Sequence, residues 1–519
     1  MASPDEKPWL DLRSRPLQLA LLAAATLAWG LPFAAHTARW VLFEDAMIVM
    51  RYARNLAAGD GFVFNLGERI LGVTTPLQTL LSTLFFFAGA AEPPVWQNYT
   101  GLFFLVAEAF LLLLLARRLG LEAAALPVAL LALGGFFGSY LYVGMETHLF
   151  MALALAALLL DLGGKPRPIL LGVALGFAFL TRYDAALLAG LLGLAAWQRE
   201  RAFPWRTTLA FFAVAAPWLL FAQLYFGSIL PQPLAAKESY FTTTAYLGRF
   251  YDLWREDFRS ICQVFSRIDI GNHLVAISFP LWLAAGAFLL ARRGRRFLVP
   301  AIYPLLHLAV YAGLGPDPAF NWHVYLLGPF SLLFGACLIG ELLAFLRERL
   351  PPRLQARLPE KLTANLLVLA LLGPLAWHLY HQAAYRYQPD PHTQQLRDMG
   401  RWIGERYPPS TSLMQPSIGL LGYESNLYMV DHAGLVTPGL YFWNDQQCTP
   451  VPEVLERFHP DLVLLSPWSE AHAAEMVAAG YAPVHTFEPY SYTIYQRAGD
   501  RPAGDRGAGG PPAAGGAAP

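Results

Sequence analysis

The sequence predicts a mainly α-helical, polytopic membrane protein that carries a small α/β domain near its C-terminus. Three observations predict it. Of 519 residues, 55% are hydrophobic and only 14% are charged, with a mean hydropathy of +0.38; a soluble chain carries about 25% charged residues. Apolar runs near the length of a membrane span follow one another, separated by short basic links. After residue 384 the pattern changes to short strand-like stretches alternating with amphipathic helices.

The runs read as spans at 17–36, 99–116, 124–142, 147–162, 168–181, 184–198, 208–226, 274–291, 297–314, 323–346 and 362–381. The run 76–91 is short of the roughly 20 residues a span needs, and charge decides its placement. Lys7, Arg13 and Arg15 precede the first span, so the positive-inside rule puts the N-terminus in the cytoplasm. Arg117-Arg118, Arg199/Arg201/Arg206 and Arg292-Arg293 share that side only if 76–91 does not cross. It is therefore expected to be a juxtamembrane or re-entrant helix on the outer face. The count becomes about eleven spans, with the C-terminus outside.

This topology divides the chain into a membrane domain (1–384, first outer loop 37–98), an outer α/β domain (385–497) and a Gly/Ala/Pro-rich tail (498–519). The tail cannot bury a core and is expected to be disordered. In the outer domain, strands are expected at 412–415, 427–430, 462–466 and 484–487, with helices at 390–406, 451–458 and 470–479. The first apolar run lacks a small-residue cleavage site and reads as a retained signal anchor. Scattered Arg clusters give no nucleic-acid footprint. The three cysteines and the dispersed His and acidic residues have no metal spacing, and no Gly-rich nucleotide loop follows a strand. No cofactor is expected, and a divalent metal has no signature. If they face an oxidising compartment, Cys262 and Cys448 are candidates for a disulfide.

The polar residues that stand out all fall outside. Glu44-Asp45 opens a helix over 46–58; it reads either as a general base at the membrane surface or as an acidic helix N-terminus. Arg51, Arg54 and Asn55 share one face of that helix, with Tyr52 beside them. Guanidinium groups there suit a phosphate or snorkel to headgroups. Ala46, Val49, Met50 and Ala53 form an apolar stripe expected to lie on the membrane. Glu146, with His148 close by, Arg182 and Asp184 sit at outer mouths of spans, where Arg182 and Asp184 also read as a simple ion pair. Lys237 is a candidate anion ligand, and His323 opens the tenth span.

Glu44-Asp45-Ala46, Arg51-Tyr52-Ala53-Arg54-Asn55, Gly59-Asp60-Gly61, Asn65-Leu66-Gly67-Glu68-Arg69 and Gly72-Val73-Thr74-Thr75-Pro76 follow in an order that resembles the first outer loop of GT-C membrane glycosyltransferases. The branch of the mycobacterial terminal arabinofuranosyltransferase and related bacterial proteins is most similar. Gly144-Met145-Glu146-Thr147, Thr181-Arg182-Tyr183-Asp184, Phe226-Gly227-Ser228 through Lys237, and Asp431-His432-Ala433-Gly434 resemble its later motifs. The resemblance implies a GT-C bundle in a bacterial cytoplasmic membrane, transferring a sugar such as arabinose or mannose. The implied donor is a polyprenyl-phosphate sugar and the implied acceptor a hydroxyl of an envelope glycan, glycolipid or protein on the outer face. Asp45 becomes the implied base with Glu44 as helper, because the branch has Asp-Asp there. Arg51, Tyr52, Arg54, Glu146, Arg182, Asp184, Lys237 and His323 become implied donor or substrate contacts. The branch shows Arg where Asn321-Trp322-His323 stands, a departure from its pattern. The alternatives are a polysaccharide polymerase or ligase, a transporter or flippase of lipid-linked sugars, and a non-catalytic subunit of an envelope assembly complex.

Overall fold

The computed structural model describes residues 13–37, 44–133, 144–163, 165–238, 250, 254, 272–314, 327–351, 391–444, 447–466 and 472–498. The expected span at 362–381, His323 and Cys262 lie outside the described residues, as do the side chains of Lys237 and Cys448.

Ten helices correspond to the remaining predicted spans: α1 (Arg15–Thr37), α4 (Pro93–Arg118), α5 (Glu122–Leu133), α6 (Thr147–Asp161), α7 (Pro168–Thr181), α8 (Ala185–Glu200), α9 (Trp205–Phe226), α11 (Asn272–Arg293), α12 (Leu298–Leu314) and α13 (Gly328–Glu348). Among the described residues, three of them, α4, α9 and α13, are long and apolar enough to cross a membrane on length and composition alone. Three further helices lie between them in the chain: α2 (Glu44–Ala58), α3 (Pro76–Phe87) and α10 (Gln232–Glu238). Helices α7 and α9 approach closely because Gly172 and Gly176 leave room for the α9 backbone at Thr207 and Phe211, the small-residue contact of membrane helices. The outward side of α9 is apolar, with Leu209, Phe212, Leu220 and Leu224 exposed, as a lipid-facing surface requires.

Side-chain contacts fix which helix ends lie together. Arg117 at the end of α4 donates to the Arg13 carbonyl oxygen at 2.6 Å and to Gln18 Oε1 at 2.8 Å. The start of α1 and the end of α4 therefore share one side of the bundle, as they must if the run 76–91 does not cross. Helix α3, built from that run, has 12 residues. Its polar face (Gln78, Thr79, Ser82, Thr83) is buried, while Leu80, Leu84 and Phe87 are exposed. That inverted amphipathicity suits a helix lying between the bundle and lipid.

The C-terminal α/β domain, called the outer domain after its expected side, is a five-stranded sheet in the order β2-β1-β5-β7-β6: β1 (Ser412–Gln415), β2 (Tyr428–Asp431), β5 (Leu462–Leu465), β6 (Tyr481–Phe487) and β7 (Tyr492–Arg497), with β3 (Phe442–Asn444) and β4 (Gln447–Cys448) forming a separate ribbon. Strand β1 pairs parallel with β2 and β5, while β7 pairs antiparallel with β5 and β6. Period-two alternation sorts the side chains. Met414, Val430 and Val463 point to a core with α16 (Val451–Phe458) and α17 (Ala473–Ala478). Leu413, Met429, Leu462 and Leu464 point to the other face, shared with α14 (Pro391–Arg406), α15 (Gly419–Ser425) and α2. This last contact corrects one expectation. The α2 stripe of Ala46, Val49, Met50 and Ala53 is buried in protein, and Ala46, Val49 and Met50 join a core that continues into the outer domain, so the stripe does not rest on the membrane.

Candidate active site

A cavity of about 1020 Å³ opens where α2, the segment Arg69–Gln78, the 144–146 and 182–187 turns, the 226–234 segment and Tyr311 of α12 converge. Leu435 and Pro438 of the outer domain complete its wall.

Helix phase decides which α2 residues reach it. Asp45, Ala46, Ile48 and Val49 line the cavity. Glu44, Arg51 and Arg54 belong to a different face and meet the outer domain. Glu44 accepts the backbone N–H groups of Gly419 (2.5 Å) and Leu420 (3.0 Å). Burial pushes its carboxyl up to about 7; those two amide bonds pull the other way, and the nearby Asp45 and Asp431 carboxylates add to the rise. Arg51 donates to the carbonyl oxygens of Gly422 (2.9 Å) and Leu427 (2.6 Å) and stacks over Phe64 at 4.2 Å. Burial, with Arg54 adding to it, lowers the Arg51 guanidinium to about 9. Arg54 donates to Tyr423 O (2.8 Å) and Asn426 Oδ1 (2.6 Å). Tyr52 is fully buried; its hydroxyl donates to Ile70 O at 2.6 Å and accepts from Gly72 N–H at 2.9 Å. The structure therefore gives four sequence-selected residues another partner. Glu44, Arg51 and Arg54 satisfy backbone groups of the outer domain, and Tyr52 pins the cavity wall from behind.

Arg182 does reach the cavity, together with Glu146 and Asp184. It donates to Glu146 Oε1 (2.6 Å), Asp184 Oδ2 (3.0 Å) and the Tyr311 hydroxyl (2.9 Å), while Tyr311 donates to Asp184 Oδ2 at 2.6 Å. The simple Arg182–Asp184 pair thus belongs to a larger cluster in which one cation faces two carboxylates. Its positive charge is already offset, so a free phosphate finds little net attraction at Arg182. His148 turns away from the cavity and pairs with Glu108 at 2.9 Å, both buried. Glu108 lies within the apolar run of α4, a buried acid that the sequence reading passed over.

Lys237 falls in α10, whose first residue, Gln232, lines the cavity and ties it to the outer domain through Gln232 Nε2–Gly434 O at 3.2 Å. Within the domain Asp431 is fully buried and accepts the N–H groups of Ala433 and Val436, both at 2.9 Å. It thereby shapes the loop that carries Leu435 and Pro438.

Sequence reasoning missed several cavity residues, Tyr311, Arg69 and Thr75 among them. Arg69 lines the cavity with its guanidinium over the Tyr225 ring at 4.7 Å. Its signal was its place in the loop motif just before Gly72-Val73-Thr74-Thr75-Pro76. Thr75 stands at the N-terminus of α3 without capping it, and its hydroxyl is buried with no hydrogen-bond partner. Unsatisfied buried hydroxyls are uncommon. Among the described residues, no group of three or more His, Cys, Asp or Glu side chains is placed to hold a metal ion.

A helical bundle capped by an α/β domain that closes a cavity is the architecture of this multi-pass membrane protein, and solved structures share it. The particular likenesses are to two proteins of that fold. ArnT from Cupriavidus metallidurans in its apo state aligns with a TM-score of 0.59 at 13% identity, over 92% of this chain and 97% of ArnT. ArnT bound to undecaprenyl phosphate gives 0.56 at 12% identity, over 93% and 98%. The oligosaccharyltransferase AglB from Archaeoglobus fulgidus, in complex with an inhibitory peptide and a dolichol-phosphate, gives 0.55 at 13% identity, over 94% and 75%. A family model described as a domain of unknown function, DUF8728, matches residues 382–501. No curated protein matches the sequence.

Proposed function

We propose that the chain is a membrane glycosyltransferase that moves a monosaccharide from a polyprenyl-phosphate donor to a hydroxyl of an envelope glycan, glycolipid or protein. The observation that carries this reading is the cavity wall. It combines an acid, Asp45, with an arginine, Arg69, and with the amino end of α3 beside the unpartnered Thr75 hydroxyl. A helix N-terminus presents free N–H groups and positive dipole to an anion. Arg69 and that helix end are assigned the donor phosphate; Asp45 is assigned the acceptor.

The chemistry follows. Asp45 accepts the proton of the acceptor hydroxyl as its oxygen forms a bond to the anomeric carbon. The bond from that carbon to the phosphate oxygen breaks, and the lipid phosphate leaves with the electron pair. Arg69 and the α3 N–H groups stabilise the charge that develops on it. Glu146, Arg182, Asp184 and Tyr311 supply hydrogen-bonding groups for sugar or acceptor hydroxyls, and Lys237 and His323 stay assigned to the donor side. No cofactor enters this scheme. Exposed Leu230 and Leu234, which also line the cavity, offer an apolar exit for the prenyl tail. The reading places the chain in a bacterial cytoplasmic membrane with about eleven spans, the N-terminus inside, and the cavity and outer domain outside. An arabinose or mannose donor is the first to try.

The test is incubation of the purified full-length protein in lipid nanodiscs with polyprenyl-phosphate sugars. Transfer or donor hydrolysis is expected, with Arg69→Glu raising the donor KM about tenfold or more, the loss of one charge-assisted contact. A folded protein that neither turns over any such donor nor binds undecaprenyl phosphate contradicts the reading.

A further inference from the structure

The outer domain does more than cover the cavity. Helices α2 and α15 lie side by side and run the same way: Glu44 meets Gly419 and Leu420, Arg51 meets Gly422 and Leu427, and Arg54 meets Tyr423 and Asn426. The acid takes the N–H end of α15 and the guanidinium groups take its carbonyl end, so each charge matches the local helix dipole. The fit at the acid end is close. A methyl group added at Gly419 would collide with the Glu44 backbone carbonyl and its carboxyl carbon.

Consecutive residues of an α-helix project about 100° apart. Holding the Glu44 side chain on α15 therefore sets where the next side chain points, and that next residue is Asp45. We propose that Glu44 is a positioning residue: its bond to α15 fixes the rotation of the first turn of α2 and so directs Asp45 into the cavity, making the outer domain part of the active centre. This rests on the assignment of Asp45 as the base. It extends that assignment by giving the neighbouring acid a mechanical task in place of a chemical one.

The experiment uses the full-length protein with Glu44→Ala, Glu44→Gln, Gly419→Ala and Asp45→Asn. Single-turnover transfer from a polyprenyl-phosphate sugar and hydrogen exchange of segments 44–49 and 419–422 are followed together. Glu44→Ala and Gly419→Ala, two changes on opposite domains, are expected to lower kcat about 10- to 100-fold with donor KM within about threefold, the cost of misplacing a reacting group by about 1 Å. Glu44→Gln keeps one of the two oxygens that accept these amides and is expected to recover part of the kcat lost in Glu44→Ala. In Glu44→Ala, exchange is expected to rise in both segments. Loss in Glu44→Gln as deep as in Asp45→Asn would make Glu44 a chemical participant and overturn the proposal. So would exchange rising at 419–422 alone while kcat holds. If wild-type protein turns over no donor, the enzymatic reading fails; the exchange pattern still decides whether Glu44 orders the first turn of α2.

Discussion

The Arg182 guanidinium donates to Glu146 at 2.6 Å and so joins the turn before α8 to the turn before α6, while the same group holds Asp184 at 3.0 Å. These three charges are buried at the cavity wall, where removing one partner leaves the others without compensation. Arg182→Ala is expected to destabilise the protein by about 3–5 kcal/mol, the usual cost of breaking a buried pair. Arg182→Lys should recover little of it, because one ammonium cannot reproduce the fork that reaches Glu146, Asp184 and Tyr311. Thermal unfolding in detergent reads both; an Arg182→Ala protein with wild-type stability would show that the cluster is not what holds these turns together.

Tyr52 offers a milder test. Its hydroxyl satisfies both Ile70 O and Gly72 N–H, backbone groups of the segment that forms the cavity wall. Tyr52→Phe keeps the ring against Phe62 and Phe64 and removes the pin. A cost of about 1–3 kcal/mol is expected for the buried groups left unpaired, along with a higher donor KM as the 70–75 segment loosens. A stability loss with donor KM unchanged would detach Tyr52 from the site.

Glu44 and Asp431 set a pH dependence. Both carboxyls are raised to about 7, from ordinary values of 4.5 and 3.8, chiefly by burial, and the charge of Asp431 adds to the rise at Glu44. A raised carboxyl binds its proton more tightly in the folded protein than in the unfolded chain. Its contribution to stability is complete below the unfolded value and is lost as the pH rises through about 7. The melting temperature is therefore expected to fall between pH 6 and pH 8, and Glu44→Gln and Asp431→Asn each to flatten that fall. A melting temperature that rises over this interval reverses the sign and refutes the assignment.

Much of this arrangement was legible in the sequence. Apolar runs gave most of the helices of the bundle, because backbone satisfaction in hydrocarbon leaves few alternatives. Asp45, Glu146, Arg182 and Asp184 were found as charges at the outer mouths, and the cavity gathers all four. Glu44, Arg51 and Arg54 were selected for their charge and assigned the wrong neighbour to expect. Their partners lie some 370 positions away in α15, a seven-residue helix too short to show a period. Helix phase held part of the answer, since Asp45 and Arg51 project to different faces of α2. Strand β7 lies outside the predicted strands, although its alternation (Tyr492, Ile494) is regular. Arg69 and Thr75 were passed over because only the folded loop brings them to the cavity.

The central claim is that Asp45 acts as base in a glycosyl transfer at this cavity. Its most direct measurement is single-turnover transfer from a polyprenyl-phosphate sugar by wild-type and Asp45→Asn protein, with undecaprenyl-phosphate binding measured alongside. The expected result is a fall of about 10²- to 10⁴-fold in the transfer rate, the range for a positioned general base, with lipid-phosphate binding retained. An Asp45→Asn protein that folds, binds the lipid phosphate and transfers sugar at the wild-type rate would contradict the account.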